Sequence, residues 1–271
     1  MKIALYHNHR NPRAVEVAQA TSKLLRSEGA DVSYVETPLR GGEAVPLEKI
    51  EGVGTTVMVA VGGDGTILRA LQRYSGPVLG INAGVLGFLT EIGPDEVEKS
   101  VRRLLAGDYI LDERMKLMCT KGQERLLDCT NESVVHTSKV AKMRSFDIRV
   151  RGEALDTVRA DGMIVATATG STSYALSAGG PVVHPSMDAF VIVPLAPFSL
   201  TAEPLVVPGN SIIEITPRDP GRSAVLVLDG QEEVDVSGGE VVTVSRSERR
   251  ARFVRFSQRY FERLGRRLAT E

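Results

Sequence analysis

The chain has 271 residues, 42% hydrophobic and 25% charged, and its 33 lysines and arginines offset 34 aspartates and glutamates to leave a formal charge of −1. That describes a globular protein of one large or two modest domains, with no basic excess to recruit nucleic acid or anionic membrane. No stretch approaches the roughly 20 apolar residues of a membrane span, the start MKIALYHNHRNPR lacks a signal-peptide core, and Cys119 and Cys129 are too few for a disulfide framework and lack metal-site spacing, so a reduced cytoplasmic setting is expected.

In chain order, Lys2–Tyr6 reads as a strand and HNHRNP as the turn after it. Arg13–Glu28 carries Val17, Ala18, Leu24 and Leu25 on one helical face, with Gly29 as a stop. Ala30–Glu36 alternates like a strand. The stretch from Gly41 to Gly54 is a connection with a short helix at Leu47–Glu51. Val57–Val61 is apolar throughout and β-branched, which suits a strand buried on both faces. Gly62, Gly63, Asp64 and Gly65 then make a turn, and Thr66, Ile67, Leu68, Ala70 and Leu71 follow at helical spacing. Pro77–Asn82 is another strand, Ala83–Gly87 another glycine turn, and Asp95–Leu105 a helix. Strand and helix alternate over residues 1–106, which predicts an α/β domain: a parallel sheet flanked by helices, with ligands at the carboxyl ends of its strands.

Residues 107–250 change texture. Short segments at Lys116–Thr120, Arg125–Cys129, Phe146–Val150, Met163–Thr167, Ser211–Thr216, Ala224–Leu228 and Glu240–Val244 read as strands, and only Ser173–Ser177 is helical. This predicts a β-rich, predominantly antiparallel second domain. In the tail, 251–271, Val254–Leu268 is amphipathic and basic, a terminal helix expected to pack back on the first domain.

Chemistry concentrates in three places. Glycines at 62, 63 and 65 allow positive φ and let a ligand approach the backbone. The helix start that follows suits an anion. Asp64 would repel a phosphate there unless a metal or a proton transfer is involved; a plain tight turn with an Asp cap is the structural alternative. Asn131-Glu132, near Asp128, can hold hydroxyl or amino groups or shape a polar turn. In ADGMIVATATGSTSYALSAGGPVVHP, residues 160–185, Thr167, Thr169, Ser171, Thr172 and Ser173 surround Gly170. So many small hydroxyls suit a pocket for a sugar or base, with Tyr174 available for stacking and Ser171 or Thr172 as a helix cap. The four histidines form no ligand spacing, and His7 and His9 are expected in a solvated turn; His136 and His184 take no role. No GxSxG elbow is present. Asp229-Gly230-Gln231 reads as a structural turn.

Five separated segments resemble the NAD kinase family: GGDGT at Gly62–Thr66, NAGVLGFL at Asn82–Leu89, Asn131-Glu132, DGMIVATATGSTSYALSAGGPVVHP from Asp161, and the later DGQ. They run from about residue 57 to 232, with departures at Ala168 (commonly proline) and Ser173 (commonly alanine). The resemblance implies transfer of a phosphoryl group from ATP or polyphosphate to the 2′-hydroxyl of the adenosine ribose of NAD, giving NADP. It implies that Asp64 orients that hydroxyl or takes its proton, with Gly65 beside it at the ligand. Asn131 and Glu132 would bind the dinucleotide and Asp161 its nicotinamide half. Thr172, Ser173, Tyr174, Ala175, Leu176 and Ser177 would enclose the adenosine half, with Thr169 from the same loop. Gln231, Arg69, Lys142 and Arg159 fall on ligand-contacting positions. Mg²⁺ or another divalent cation would be bound mainly through the donor phosphates, with no protein metal ligand, and the family implies a homodimer or homotetramer. Asp64 is then expected to face a ribose presented by the second domain. The alternatives are a lipid or sphingoid-base kinase sharing the GGDG turn and a non-catalytic NAD(P)-binding sensor. A Rossmann dehydrogenase would need a GxGxxG after the first strand, which is absent.

Overall fold

Alternating strand and helix periods in the first hundred residues become alternating elements in the computed structural model of the chain. These are β1 (Lys2–His7), α1 (Pro12–Ser27), β2 (Asp31–Val35), β3 (Ala44–Val45), β4 (Val57–Gly62), α2 (Asp64–Arg73), β5 (Pro77–Asn82) and α3 (Val97–Leu105), with a 3-10 helix at Leu47–Val53. The structure describes residues 1–37, 39, 43–84, 87–139, 142–199, 201–219, 221, 223–257 and 260–269. Gly41 and Gly42 of the expected connection, Val85 and Leu86 of NAGVLGFL, and Val140 and Ala141 beside Lys142 lie outside the described residues. The chain divides into two units, Met1–Glu113 with Ala251–Glu271, and Arg114–Arg250.

In the first unit the strands lie in the order β5-β4-β1-β2-β3, all parallel. Successive residues point to opposite faces: Ile3, Leu5, Val57, Val59 and Val61 pack against α1 and α3 residues such as Ala18 and Val101. Ala4, Tyr6, Met58 and Ala60 pack against Ile67, Leu68 and Leu71 of α2. Helix α1 starts at Pro12 because Asn11 Oδ1 accepts the N–H groups of Arg13 and Ala14.

The remaining strands are β6 (Ile110–Lys121), β7 (Glu124–Arg125), β8 (Glu132–Thr137), β9 (Arg144–Val150), β10 (Glu153–Ala160), β11 (Gly162–Thr167), β12 (Ala189–Leu195), β13 (Leu205–Pro208), β14 (Ile213–Pro217), β15 (Ser223–Leu228), β16 (Glu232–Ser237) and β17 (Val242–Arg255), with a short helix α4 (Tyr174–Ser177). Six of them form an antiparallel sheet, β13-β12-β11-β8-β15-β16. Strands β10, β9, β14 and the first part of β17 form an antiparallel layer facing it. Between the layers Val135, Met163, Val165, Phe190 and Ile192 meet Phe146, Ile148, Ile213, Ile215 and Val244.

Three expectations change. Arg125–Cys129 is not a strand, since β7 stops at Arg125 and Cys129 keeps only a bridge to Leu117. Strands β8, β10, β12 and β13 were not expected. The tail's helix, α5 (Tyr260–Ala269), starts later than Val254, because β17 continues to Arg255 and pairs Arg252 and Phe253 with Pro77 and Val78 of β5. Tyr260 and Leu264 of α5 pack against the α2-side core of the first unit. No helix among the described residues is long and apolar enough to cross a membrane.

Candidate active site

At the carboxyl ends of β4 and β5 the two glycine turns lie side by side, since Gly62 pairs with Asn82 and Ala83 N–H donates to Gly62 C=O. The Asp64 carboxylate joins them. Its Oδ2 accepts the Phe88 N–H at 2.8 Å and its Oδ1 the Leu89 N–H at 2.9 Å. A Cβ at Gly87 would stand 2.1 Å from Asp64 Oδ1, so NAGVLGFL needs glycine there for the carboxylate to dock. Asn82 holds the second turn, accepting from Gly84 N–H and donating to Thr90 Oγ1, which also takes the Gly87 N–H.

Positive φ is not what the first glycines supply. Gly62 ends β4, Gly65 lies in the first turn of α2, and Gly63 has φ −96°. Gly62 makes room for Thr66, whose Oγ1 would be 2.3 Å from a Cβ, whereas a Cβ at Gly63 would meet nothing. Gly63 and Gly65 are exposed, and no side chain caps α2. Nearby, exposed Arg69 pairs with Glu36 at 3.4 Å. Burial, then the Glu36 charge, push the Tyr6 hydroxyl up to about 12. His7 is not solvated as expected: it lies in β1, 2% exposed, and burial, then the His9 charge, lower its pKa. His9 is exposed.

In the second unit three loops converge at one end of the six-stranded sheet. Glu132 opens β8 opposite Ala166 near the end of β11, and Ser133 pairs with Leu228 at the end of β15. That brings Asn131 and Glu132 together with the loop after Thr167 and with Asp229–Gln231. The organising residue is Asp229, at φ +51°, whose carboxylate accepts the N–H groups of Thr130 (2.7 Å), Asn131 (2.8 Å) and Glu132 (3.1 Å). Gly170 lies against Asn131, and a Cβ there would be 2.2 Å from the Asn131 carbonyl oxygen. Asn131 Oδ1 and Glu132 Oε2 are buried with no hydrogen-bond partner in the protein. Burial, then the Asp229 charge, push the Glu132 carboxyl up to about 8, with Ser173 pulling the other way. Burial lifts Asp229 to about 6, opposed by its three N–H donors and by Lys116. Burial in turn lowers the pKa of Lys116, against the charges of Asp128 and Asp229.

The hydroxyl loop divides into scaffold and surface. Thr167 Oγ1 donates to Thr130 C=O at 2.6 Å, and Ser171 Oγ bonds Ala168 C=O and the Val183 backbone. Thr169 and Thr172 are buried, and Thr172 Oγ1 bonds the Thr169 carbonyl. Neither Ser171 nor Thr172 caps α4; Ser173 holds that position without a side-chain bond. Ala175 is buried, Ser173 and Leu176 half-buried, and Tyr174 and Ser177 exposed. Gln231 is exposed, its Nε2 3.4 Å from Asp229 C=O.

Lys142, Arg159 and Asp161 are not brought to this end. Gly162 pairs with His136 and Ala160 with Arg144, so they gather at the opposite ends of β8 and β11. Asp161 is half-buried with Oδ1 unpartnered, and Arg159 stacks its guanidinium 4.9 Å from the Phe198 ring. Lys142 helps line a cavity of about 230 Å³ with Thr137, Ser138, Lys139, Arg144 and Ser223. Sequence reasoning missed Asp229 and the role of Gly87. The acid of DGQ was the available signal for the first, but it reads as a turn residue.

Residues 3–109 match the ATP-NAD kinase N-terminal domain and residues 130–256 the ATP-NAD kinase C-terminal domain. The NAD kinase of Thermoplasma volcanium is 43% identical over 97% of this chain and 96% of its own length. That of Methanopyrus kandleri is 44% identical over 93% and 91%. The crystal structure of an NAD kinase from Archaeoglobus fulgidus in complex with ATP covers 98% of both chains at 32% identity, with a TM-score of 0.83. Yeast NADH kinase complexed with NADH, at 23% identity and a TM-score of 0.91, shares the fold over 99% of this chain and 87% of its own. With both family domains matched and close relatives aligned along almost its whole length, the chain belongs to the NAD kinase family.

Proposed function

We infer that the chain phosphorylates the 2′-hydroxyl of the adenosine ribose of NAD, with Asp64 as proton acceptor and ATP as donor. The ribose oxygen forms a bond to the γ-phosphorus, the bond from that phosphorus to the β,γ-bridging oxygen breaks, ADP leaves, and the hydroxyl proton goes to Asp64. A ribose hydroxyl is a poor nucleophile, and a positioned carboxylate orients it and removes its proton as the new bond forms. The observation that carries this reading is the docking of Asp64 on two backbone N–H groups. They fix the carboxylate while leaving each oxygen a second lone pair for the substrate. The exposed Gly63 and Gly65 at the start of α2 suit the donor phosphates.

Asn131 and Glu132 supply buried polar atoms with no protein partner, which fits a ligand's hydroxyl and amino groups. With its carboxyl pushed up to about 8, Glu132 is protonated at neutral pH and can donate as well as accept. Tyr174 offers an exposed ring to a base. Among the described residues no three His, Cys, Asp or Glu side chains gather to cage a metal. Mg²⁺ would be held by the donor phosphates and water, as this ion commonly is. When bound, Mg²⁺ supplies charge neutralisation to the transferring group.

The test is NADP formation by the purified protein with NAD and either ATP or polyphosphate, run beside Asp64→Asn. We expect turnover by the native chain with ATP and a loss of roughly 10²–10⁴-fold in the variant. Near-native turnover by Asp64→Asn would remove Asp64 from the chemistry. Phosphorylation of a lipid in place of NAD would overturn the reading.

A further inference from the structure

Residues 88–91 are gripped from two sides. Their amides at Phe88 and Leu89 hold Asp64. Their carbonyls are held by the returning end of the chain: Arg255 Nη1 donates to Leu89 C=O at 3.0 Å and Thr90 C=O at 3.4 Å, and Arg263 Nη1 reaches Thr90 C=O at 3.5 Å. Glu91 ties the same pieces together. Its Oε2 accepts from Arg255 at 3.1 Å and from Arg263 Nη2, and its Oε1 accepts the Phe256 N–H at 2.8 Å. Glu91 and Arg255 side chains are only 3% and 5% exposed. The Tyr260 ring meets the Phe88 ring edge-on at 5.8 Å.

We propose that Tyr260 and Arg263 of α5, with Arg255, are positioning residues for phosphoryl transfer: through residues 88–91 they set where the Asp64 carboxylate stands. The inference rests on Asp64 being the proton acceptor. A bare packing role for α5 would need only the apolar contacts of Tyr260 and Leu264 with the core. It would not need the Arg263 guanidinium to join that of Arg255, at the end of β17, at the carbonyls of the segment whose amides hold the acid. A carboxylate that accepts a proton in the transition state tolerates little displacement, since an error of about 1 Å can cost on the order of 10²-fold in rate. With this end of the chain undocked, the 88–91 segment loses the donors to its carbonyls and Asp64 loses its fixed orientation.

The experiment measures NADP formation by the full chain carrying Arg263→Met, Tyr260→Leu or Arg263→Lys, and by Asp64→Asn with and without Arg263→Met. We expect Arg263→Met and Tyr260→Leu to lower kcat by roughly 10-fold or more while KM for NAD and ATP stays within about twofold. Arg263→Lys should recover part of the loss. In the Asp64→Asn background Arg263→Met should lower the residual turnover no further, because both changes act on one group. Native kcat in the two first variants would overturn the proposal, as would the same fractional loss with Asp64 already removed. A native chain that forms no NADP overturns instead the reading on which the proposal stands.

Discussion

Single atoms decide most at the glycine turns. Two glycines that read alike in the sequence have different duties. A methyl at Gly87 would occupy the place of Asp64 Oδ1, whereas one at Gly63 meets no protein atom. We therefore expect Gly87→Ala to lower both the melting temperature and kcat, the latter by at least about 10-fold, as displacement of a catalytic group does. Gly63→Ala, at φ −96°, should melt like the native chain and show its effect in the KM for ATP, because only a ligand approaching the backbone would meet the new methyl. A second prediction concerns Glu132. Its carboxyl titrates near 4.5 unfolded and about 8 folded. Below pH 4.5 it is protonated in both states; as pH rises through 8 only the unfolded chain gains from ionising, so the stability it contributes is lost across that window. Glu132→Gln should flatten the fall of melting temperature between those values and stabilise the protein at pH 8 by on the order of 3–5 kcal/mol. Parallel curves for the two proteins would show that the native carboxyl ionises freely.

Elements legible in the sequence were those whose pattern is local. Val57–Arg73 reads as strand, turn and helix because its apolar positions switch period at the glycines. Strand β12, AFVIVPL, is hidden by Pro194, which argues against a central strand. Strand β10 was missed because nearly all of it is exposed, so no buried face marks it. The end of β17 was taken into the helix because its alternation is masked by arginines on the open face. The same distinction applies to the site. Asp64 and the Asn131-Glu132 pair stand in recognisable motifs, but what holds them is remote: Leu89 lies 25 residues from Asp64, and Asp229 lies 97 to 99 residues from the amides it accepts. Asp229→Asn tests that dependence at the level of three converging loops. An amide keeps one acceptor oxygen where the carboxylate has two, so at least one buried N–H goes unpaired, at a cost of roughly 1–3 kcal/mol. We expect lower thermal stability together with a raised KM for NAD; an unchanged KM would mean that Asn131 and Glu132 keep their places without it.

At the scale of the whole molecule, the family-matched residues fall at two ends of one sheet. Glu132 stands opposite Ala166, while Gly162, next to Asp161, stands opposite His136. Strand β11 separates these ends by about 17 Å at roughly 3.3 Å per residue. A ribose held by Asn131, Glu132 and the 169–177 loop therefore has no Asp161 beside it in its own chain. We propose that this chain works as a homodimer or homotetramer in which a second copy brings its Lys142, Arg159 and Asp161 to that ribose's dinucleotide. Complementation reads this directly. Two differently tagged chains, one with Asn131→Ala and Glu132→Ala and one with Asp161→Ala, are each expected to be nearly inactive. If the ends come from different copies, a hybrid dimer holds one site with every defect and one with none. Random pairing about a two-fold axis then restores about a quarter of native turnover. Doubly tagged oligomers that show no recovery would mean that one dinucleotide runs the length of the sheet within a single chain.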